Sequence, residues 1–128
     1  MVCVIADFLI GIDVEFIDHK IDYTEFQSQM TQNEFRRTHN SANKIHSFFE
    51  YWTEKEAVIK ALGKGLFVPL ESFEVIDKEC LIEQKKFYLN DIFLAKDYIC
   101  SVASNHKNMI QKDIDIEQFK IEYLLGFE

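Results

Sequence analysis

The sequence has 128 residues, of which 48% are hydrophobic and twelve are phenylalanine, enough for one buried core, so we predict a single domain over residues 1–128. Its net charge of −8, from 14 basic and 22 acidic residues, argues against a nucleic-acid partner. No apolar run approaches the twenty residues that cross a bilayer, and the N-terminus lacks the pattern of a signal peptide. We therefore expect a cytoplasmic protein that does not enter the membrane.

The first predicted element is a strand. Residues 2–17 have a strand-like pattern, and the first half of this segment is an almost continuous apolar run typical of a buried strand. Because side chains alternate along a strand, Asp13 and Glu15 should point to the same side. Ile12 and Val14 should then point into the core. Two carboxylates placed together repel each other unless a cation lies between them. When this stretch is considered alone, a solvent-facing strand edge is the simpler explanation.

Two short helices are predicted in the polar segment that follows. The first covers residues 24–30. Thr31 and Glu34 have the spacing of a capping box for the second, which should end at Arg37. Phe35 should anchor this second helix to the core.

The longest predicted helix covers residues 41–63. Ser41 can cap its first turn, because a serine hydroxyl accepts a hydrogen bond from a free backbone N–H. Gly63 and Gly65 can end it, because glycine tolerates the left-handed conformation that follows a helix. The apolar residues of this segment keep helical spacing: Ile45, Phe48, Phe49, Trp52 and Ile59.

Glu56 lies inside this apolar stripe, and Lys60 follows one turn later. A carboxylate on the buried side of a helix is costly unless a cation or hydrogen bonds compensate it. Considered alone, a Glu56–Lys60 surface pair on a slightly rotated helix is the simpler explanation, since such pairs commonly stabilise helices. Together with Asp13 and Glu15, however, these residues form a set of three carboxylates and one lysine without His or Cys. An all-oxygen set suits a hard cation such as Mg²⁺, which binds substrate phosphates.

The C-terminal half is predicted to be mainly strands. The predicted strands cover residues 73–76, 80–83, 86–94 and 98–103, with turns at 77–78 and 84–85. The tail from residue 115 has helical spacing, and it should either cover one face of the sheet or contact a partner. The three cysteines are scattered and lack metal-ligand spacing, so we expect reduced thiols. These elements predict an α+β fold, in which a mostly antiparallel sheet packs against one long helix.

Two motifs in this order resemble those of the 4′-phosphopantetheinyl transferases of the Sfp type. The first is G-I-D-V-E at residues 11–15, and the second is W-T-E-K-E-A at residues 52–57, followed by G-K-G-L at residues 63–66. The resemblance covers about residues 2–104 and implies the fold of that superfamily. It also implies Mg²⁺-dependent transfer of the phosphopantetheine arm of coenzyme A to a serine of an acyl or peptidyl carrier protein.

The resemblance also implies roles for individual residues. It implies three ligands for Mg²⁺: Asp13, Glu15 and Glu56. It implies Glu56 and Lys60 as the catalytic residues. It implies a set of lysines at or near the coenzyme A pyrophosphate: Lys55, Lys60 and Lys64. Residues 41–66 contain four lysines and three glutamates, a net charge of +1, so the only locally basic region is the one that would meet this anionic cosubstrate.

The chain departs from the family pattern in one respect. Sfp-type enzymes consist of two similar halves, and this chain resembles the second half only. The family's Ser/His segment that binds coenzyme A phosphate would lie before Met1. The shorter trimeric synthases carry a similar segment, but residues 92–98 hold no His at that place. We therefore expect the chain alone to transfer the arm poorly.

Two alternatives to an active enzyme remain open from the sequence. The first is a truncated, non-catalytic half that self-associates and binds metal or coenzyme A weakly. Because half of a pseudo-dimer would expose an apolar face, we expect a homo-oligomer formed through the strands near residues 2–9 and 98–104. The second alternative is an unrelated α+β binding domain.

Overall fold

A computed structural model describes residues 9–63 and 67–107 of the chain. They form a four-stranded antiparallel sheet that packs against one long helix, which confirms the predicted α+β fold. The strands are β1 (Ile10–Phe16), β2 (Glu79–Ile82), β3 (Lys85–Ile92) and β4 (Tyr98–Ser104). The helices are α1 (Gln32–His39) and α2 (Lys44–Leu62), with short 3₁₀ helices at Tyr23–Gln29 and Leu70–Ser72. None of the helices in the described residues is long and apolar enough to cross a membrane.

The strand order in the sheet is β1-β4-β3-β2. β4 pairs antiparallel with β1 on one side and with β3 on the other. Self-association by strand pairing along residues 98–104 is therefore excluded, because both edges of β4 are already paired. The register places Asp13, Ser101 and Asp91 opposite one another, in one row across three strands.

Helix α2 crosses the sheet at close range where it passes over β1. A Cβ atom added to Gly11 would lie 2.2 Å from the carbonyl oxygen of Ala57 and 2.4 Å from the backbone nitrogen of Ala61. Both contacts are with helix backbone, which cannot rotate away, so glycine is required at this position for the observed packing. The small side chains of Ala57 and Ala61 are themselves buried in the core.

Two apolar clusters hold the helices on this face of the sheet. The first lies under the C-terminal half of α2 and contains, among others, Val58, Leu70, Phe73, Val75, Phe87 and Leu89. The second lies under the N-terminal half of α2 and contains Ile17, Tyr23, Met30, Phe48, Phe49 and Ile99. Phe35 of α1 packs against the second cluster, as predicted.

The helix ends differ from the prediction at one point. The cap of α2 is Asn43, whose side chain accepts a hydrogen bond from the His46 N–H, and the helix begins at Lys44. Ser41 was the predicted cap, but its hydroxyl bonds to the backbone of Asn43 instead. Gly63 ends α2 in the left-handed conformation, at φ 73°, as predicted. Gly65 lies outside the described residues.

Several local features of α1 and of the turns between strands agree with the predictions from the sequence. The capping box of Thr31 and Glu34 is present, although α1 continues to His39 and does not stop at Arg37. Asp77 and Lys78 form one tight turn with positive φ, and the next such turn is at residues 83–84. Cys80 and Cys100 are buried and free, as expected.

Residues 73–76 do not form the predicted strand, apart from one isolated bridge between Ile76 and Glu79. Side chains satisfy the backbone groups that a neighbouring strand would have paired. The Val75 N–H donates to Glu34, and the Phe73 carbonyl accepts from Lys55. The predicted strand at residues 2–9 and the predicted tail helix lie almost wholly outside the described residues, which begin at Leu9.

Candidate active site

Four charged side chains meet where β1 passes under α2, and we call them the carboxylate–lysine cluster: Asp13, Glu15, Glu56 and Lys60. The two acids of β1 alternate with Val14 and therefore point to one side of the strand, as predicted. Because Gly11 lets α2 approach so closely, that side is covered by the helix. Asp13 is only 6% exposed, so it does not lie on a solvent-facing edge.

Lys60 is the cation of this cluster. Its Nζ atom lies 2.6 Å from Oδ1 of Asp13, while about half of the lysine side chain is exposed to solvent. Glu56 stands one turn earlier on the same helix, so both α2 residues face the acids of β1. The ammonium partly compensates the buried carboxylate and still reaches the surface.

The pKa values of two acids of the cluster, Glu15 and Glu56, are raised. Burial raises the pKa of Glu15 to about 7, and the neighbouring Asp13 and Glu56 carboxylates act in the same direction, while Lys60 opposes them. Burial also raises the pKa of Glu56, again with Asp13 adding and Lys60 opposing. One ammonium therefore faces three acidic groups, and the cluster has an excess of negative charge.

The residues of this cluster fit a hard divalent cation. Oδ2 of Asp13 is buried and has no hydrogen-bond partner among the described residues, and Glu15 could meet it only by carrying a proton. Carboxylate oxygens are the ligands that Mg²⁺ prefers. Within residues 9–63 and 67–107, no three His, Cys, Asp or Glu side chains are already arranged as a metal site. Because Mg²⁺ keeps several waters and often binds through one or two carboxylates, a complete cage is not required.

Lys55 does not join this cluster. Its side chain is 2% exposed, and its Nζ atom lies 2.7 Å from Oε1 of Glu34. It also donates to the carbonyl oxygens of Phe73, at 2.7 Å, and of Leu70. Glu34 itself is fully buried, and Lys55 occupies the core between α2, α1 and residues 70–73. The cofactor-binding role expected for Lys55 therefore does not fit its position. Lys64 lies outside the described residues.

One residue that shapes the site was not singled out from the sequence. Gly11 sets the distance between β1 and α2, and with it the distance between Asp13 and Lys60. A glycine inside a strand pattern is a known signal of close backbone approach. That signal was present in the first motif, but it does not say which element approaches.

The comparison with known families decides where the chain belongs. Residues 9–103 match the family model of the 4′-phosphopantetheinyl transferase superfamily. The chain belongs to this superfamily. All four members of the carboxylate–lysine cluster lie within the matched residues.

Two individual proteins are similar to this chain. It is 35% identical over 114 residues to the 4′-phosphopantetheinyl transferase gsp of Aneurinibacillus migulanus, in an alignment that covers 81% of this chain and 47% of gsp. The chain thus spans about half the length of this relative. The crystal structure of the holo-[acyl-carrier-protein] synthase of Thermotoga maritima matches with a TM-score of 0.58 at 16% identity, over 74% of this chain and 61% of that one. At this identity, the second likeness shows the fold alone.

Proposed function

We propose that this chain takes part in transferring 4′-phosphopantetheine from coenzyme A to a serine of an acyl or peptidyl carrier protein, with Mg²⁺ as cofactor, in the cytoplasm. The observation that supports this most is the meeting of Asp13, Glu15, Glu56 and Lys60 in one partly buried cluster, inside the region that matches the superfamily. The name of the relative gsp, a 4′-phosphopantetheinyl transferase, also supports it.

The acids of the cluster would hold the cation: Asp13, Glu15 and Glu56. Asp13 is best suited, since its buried Oδ2 has no partner in the described part of the chain. When bound, Mg²⁺ would neutralise charge on the pyrophosphate of coenzyme A. The three acids would otherwise repel that pyrophosphate, so they require a cation to become a phosphate-binding surface.

Glu56 is the proposed general base. A base is most effective when its pKa is near the working pH, and burial raises the pKa of Glu56 in that direction as long as its carboxylate is not itself bound to the cation. As the carrier serine oxygen forms its bond to phosphorus, its proton would pass to Glu56. The bond from that phosphorus to 3′,5′-ADP would break in the same reaction.

Lys60 is the proposed partner of the pyrophosphate. Its side chain is half exposed, and lysine carries a compact charge on a flexible stem. The ammonium can therefore leave Oδ1 of Asp13 and turn toward an entering phosphate. There it would stabilise the negative charge that develops on the leaving 3′,5′-ADP. Lys64 remains a predicted second contact.

Mass spectrometry of carrier proteins tests this proposal. The chain is incubated with coenzyme A, Mg²⁺ and several apo carrier proteins, and the added phosphopantetheine arm is measured over time. Glu56→Gln should slow transfer by about 10²–10⁴-fold, the usual contribution of a general base. Glu71→Gln, an exposed acid outside the cluster, should leave the rate unchanged. Equal rates for wild type and Glu56→Gln would reject Glu56 as the base.

A second candidate is the non-catalytic half that binds metal or coenzyme A weakly and forms a homo-oligomer. The chain spans 47% of the length of gsp, and this observation supports the second candidate. This candidate predicts coenzyme A binding without transfer in the same reactions. Transfer by the wild-type chain at a rate sensitive to Glu56→Gln would rule it out.

A further inference from the structure

A second polar site lies on the side of α2 that faces away from Glu56. Glu54 and Glu56 are two residues apart, so their side chains point about 200° apart around the helix. Next to Glu54 a cavity of about 450 Å³ opens between α1, α2 and the turn before β2. Its walls are formed by one apolar residue and several charged or polar ones: Arg37, Glu50, Tyr51, Glu54, Val75, Asp77 and Lys78.

Glu54 is the buried acid of this cavity. The residue is 2% exposed, yet its Oε2 atom has no hydrogen-bond partner among the residues that the structure describes. Its Oε1 atom lies 3.4 Å from Nζ of Lys78. Burial raises the pKa of Glu54 to about 8, with Asp91 and Glu50 adding to the effect and Lys78 opposing it. A buried carboxylate oxygen without a partner is costly, and it can be satisfied by a ligand that donates a hydrogen bond.

Lys78 cannot supply that donor. Its ammonium has three N–H groups. Its Nζ atom lies 2.6 Å from Glu50 and 2.7 Å from Asp91, in addition to the longer contact with Glu54. The backbone also fixes Lys78, since it lies in a left-handed turn at φ 63° and its carbonyl accepts from the Leu89 N–H. Three donors therefore face three carboxylates, and the second oxygen of Glu54 is left over.

The charge around the cavity favours a cation. Three carboxylates line it, Glu50, Glu54 and Asp77, and a fourth, Asp91, pairs with Lys78. Two basic side chains oppose them, Lys78 and Arg37, so the net charge is −2 when all six groups are ionised. Arg37 is exposed, and its guanidinium is hydrogen-bonded to the hydroxyl of Tyr51, so it stands at the rim. Val75 and the ring of Tyr51 line the cavity beside these acids, which favours an organic cation.

We propose that this cavity binds a small primary alkylammonium ion. A turn of the Glu54 carboxylate would bring Oε2 to the cavity, where the –NH₃⁺ group would donate to it, and the methylene chain would lie against Val75 and the ring of Tyr51. The ammonium would give the buried oxygen its missing partner and offset the excess negative charge. The short apolar wall limits the ligand to a few methylene groups.

Calorimetric titration of the full chain with 1,4-diaminobutane and with n-butylamine tests this proposal at pH 8.5. Ionic strength is held constant with KCl. Wild type should bind both amines saturably, and Glu54→Gln, which keeps the shape but removes the charge, should bind them at least about tenfold more weakly. Glu71→Gln, an exposed acid outside the cavity, should behave as wild type.

Three results would overturn the proposal. The first is that wild type binds neither amine saturably. The second is that Glu54→Gln binds the amines with the affinity of wild type. The third is that wild type binds guanidinium chloride but not the amines. Backbone amide shifts of the wild type provide a check that requires no variant. On titration with 1,4-diaminobutane, the largest shifts should map to the cavity walls, and shifts confined to other surfaces would reject the site.

Discussion

Replacing Lys55 by methionine tests whether this lysine belongs to the core or to a phosphate site. Methionine keeps an unbranched chain of similar length but removes the ammonium. In the structure the ammonium of Lys55 pairs with the fully buried Glu34 and donates to the carbonyls of Leu70 and Phe73. The substitution therefore leaves a buried carboxylate and two buried carbonyls without this partner.

The expected loss of stability is large. Breaking a buried ion pair by removing one partner costs about 3–5 kcal/mol, since the remaining charge stays buried without its counter-charge. For a domain of this size, about 1 kcal/mol corresponds to about 4 °C, so the melting temperature should fall by about 12–20 °C. Lys55→Met combined with Glu34→Gln should recover part of this loss, because the second change removes the uncompensated charge.

Thermal denaturation followed by circular dichroism measures the change, and Lys86→Met is the matched control. Lys86 also pairs with a carboxylate, at 3.2 Å from Glu79. It lies over the ring of Tyr88, as Lys55 lies over the ring of Phe73. Its side chain is 51% exposed, so its removal should lower the melting temperature far less than the removal of Lys55. Equal effects of both variants would refute the burial argument. An unchanged melting temperature with lost coenzyme A binding would place Lys55 at the phosphate site after all.

Three further predictions follow from the same contacts. Gly11→Ala must push α2 away from β1 and should lower the free energy of unfolding by about 1–3 kcal/mol in urea denaturation, whereas an unchanged value would mean that the close approach is not required. The pKa of Glu54 is raised from 4.5 to about 8 in the folded state, so the folded protein binds this proton more tightly and stability should fall as pH rises through that window. Glu54→Gln should flatten this dependence, and equal slopes in both proteins would contradict it. Lys60→Met leaves the three acids of its cluster without their ammonium, so it should lower the melting temperature, and added Mg²⁺ should raise that temperature more in this variant than in wild type.

The local signals in the sequence predicted local structure well. Thr31 and Glu34 form the expected capping box, and Gly63 ends α2, because both features depend only on residues a few positions apart. The alternation of β1 likewise placed Asp13 and Glu15 on one side. The predicted cap Ser41 is wrong, because Asn43, two residues later, also has a side chain that can accept a backbone bond, and it is the one that caps α2.

Long-range contacts explain what the sequence could not predict. Lys55 is next to Glu56, and only the packing of α1 shows that its side of α2 faces Glu34 and not solvent. The alternating residues 73–76 were predicted to be a strand, but their backbone bonds go to side chains of α1 and α2, which no local pattern reveals. The burial of Asp13 depends in the same way on which element approaches Gly11.

The central claim is that the acids of β1 and α2 form one cation-dependent phosphate site. Calorimetric titration of coenzyme A, with and without Mg²⁺, tests it most directly in wild type, Asp13→Asn, Glu56→Gln and the exposed control Glu71→Gln. Wild type and the control should bind coenzyme A more tightly when Mg²⁺ is present, and Asp13→Asn and Glu56→Gln should lose that dependence while remaining folded. Mg²⁺-dependent binding that persists unchanged in both cluster variants would contradict the claim.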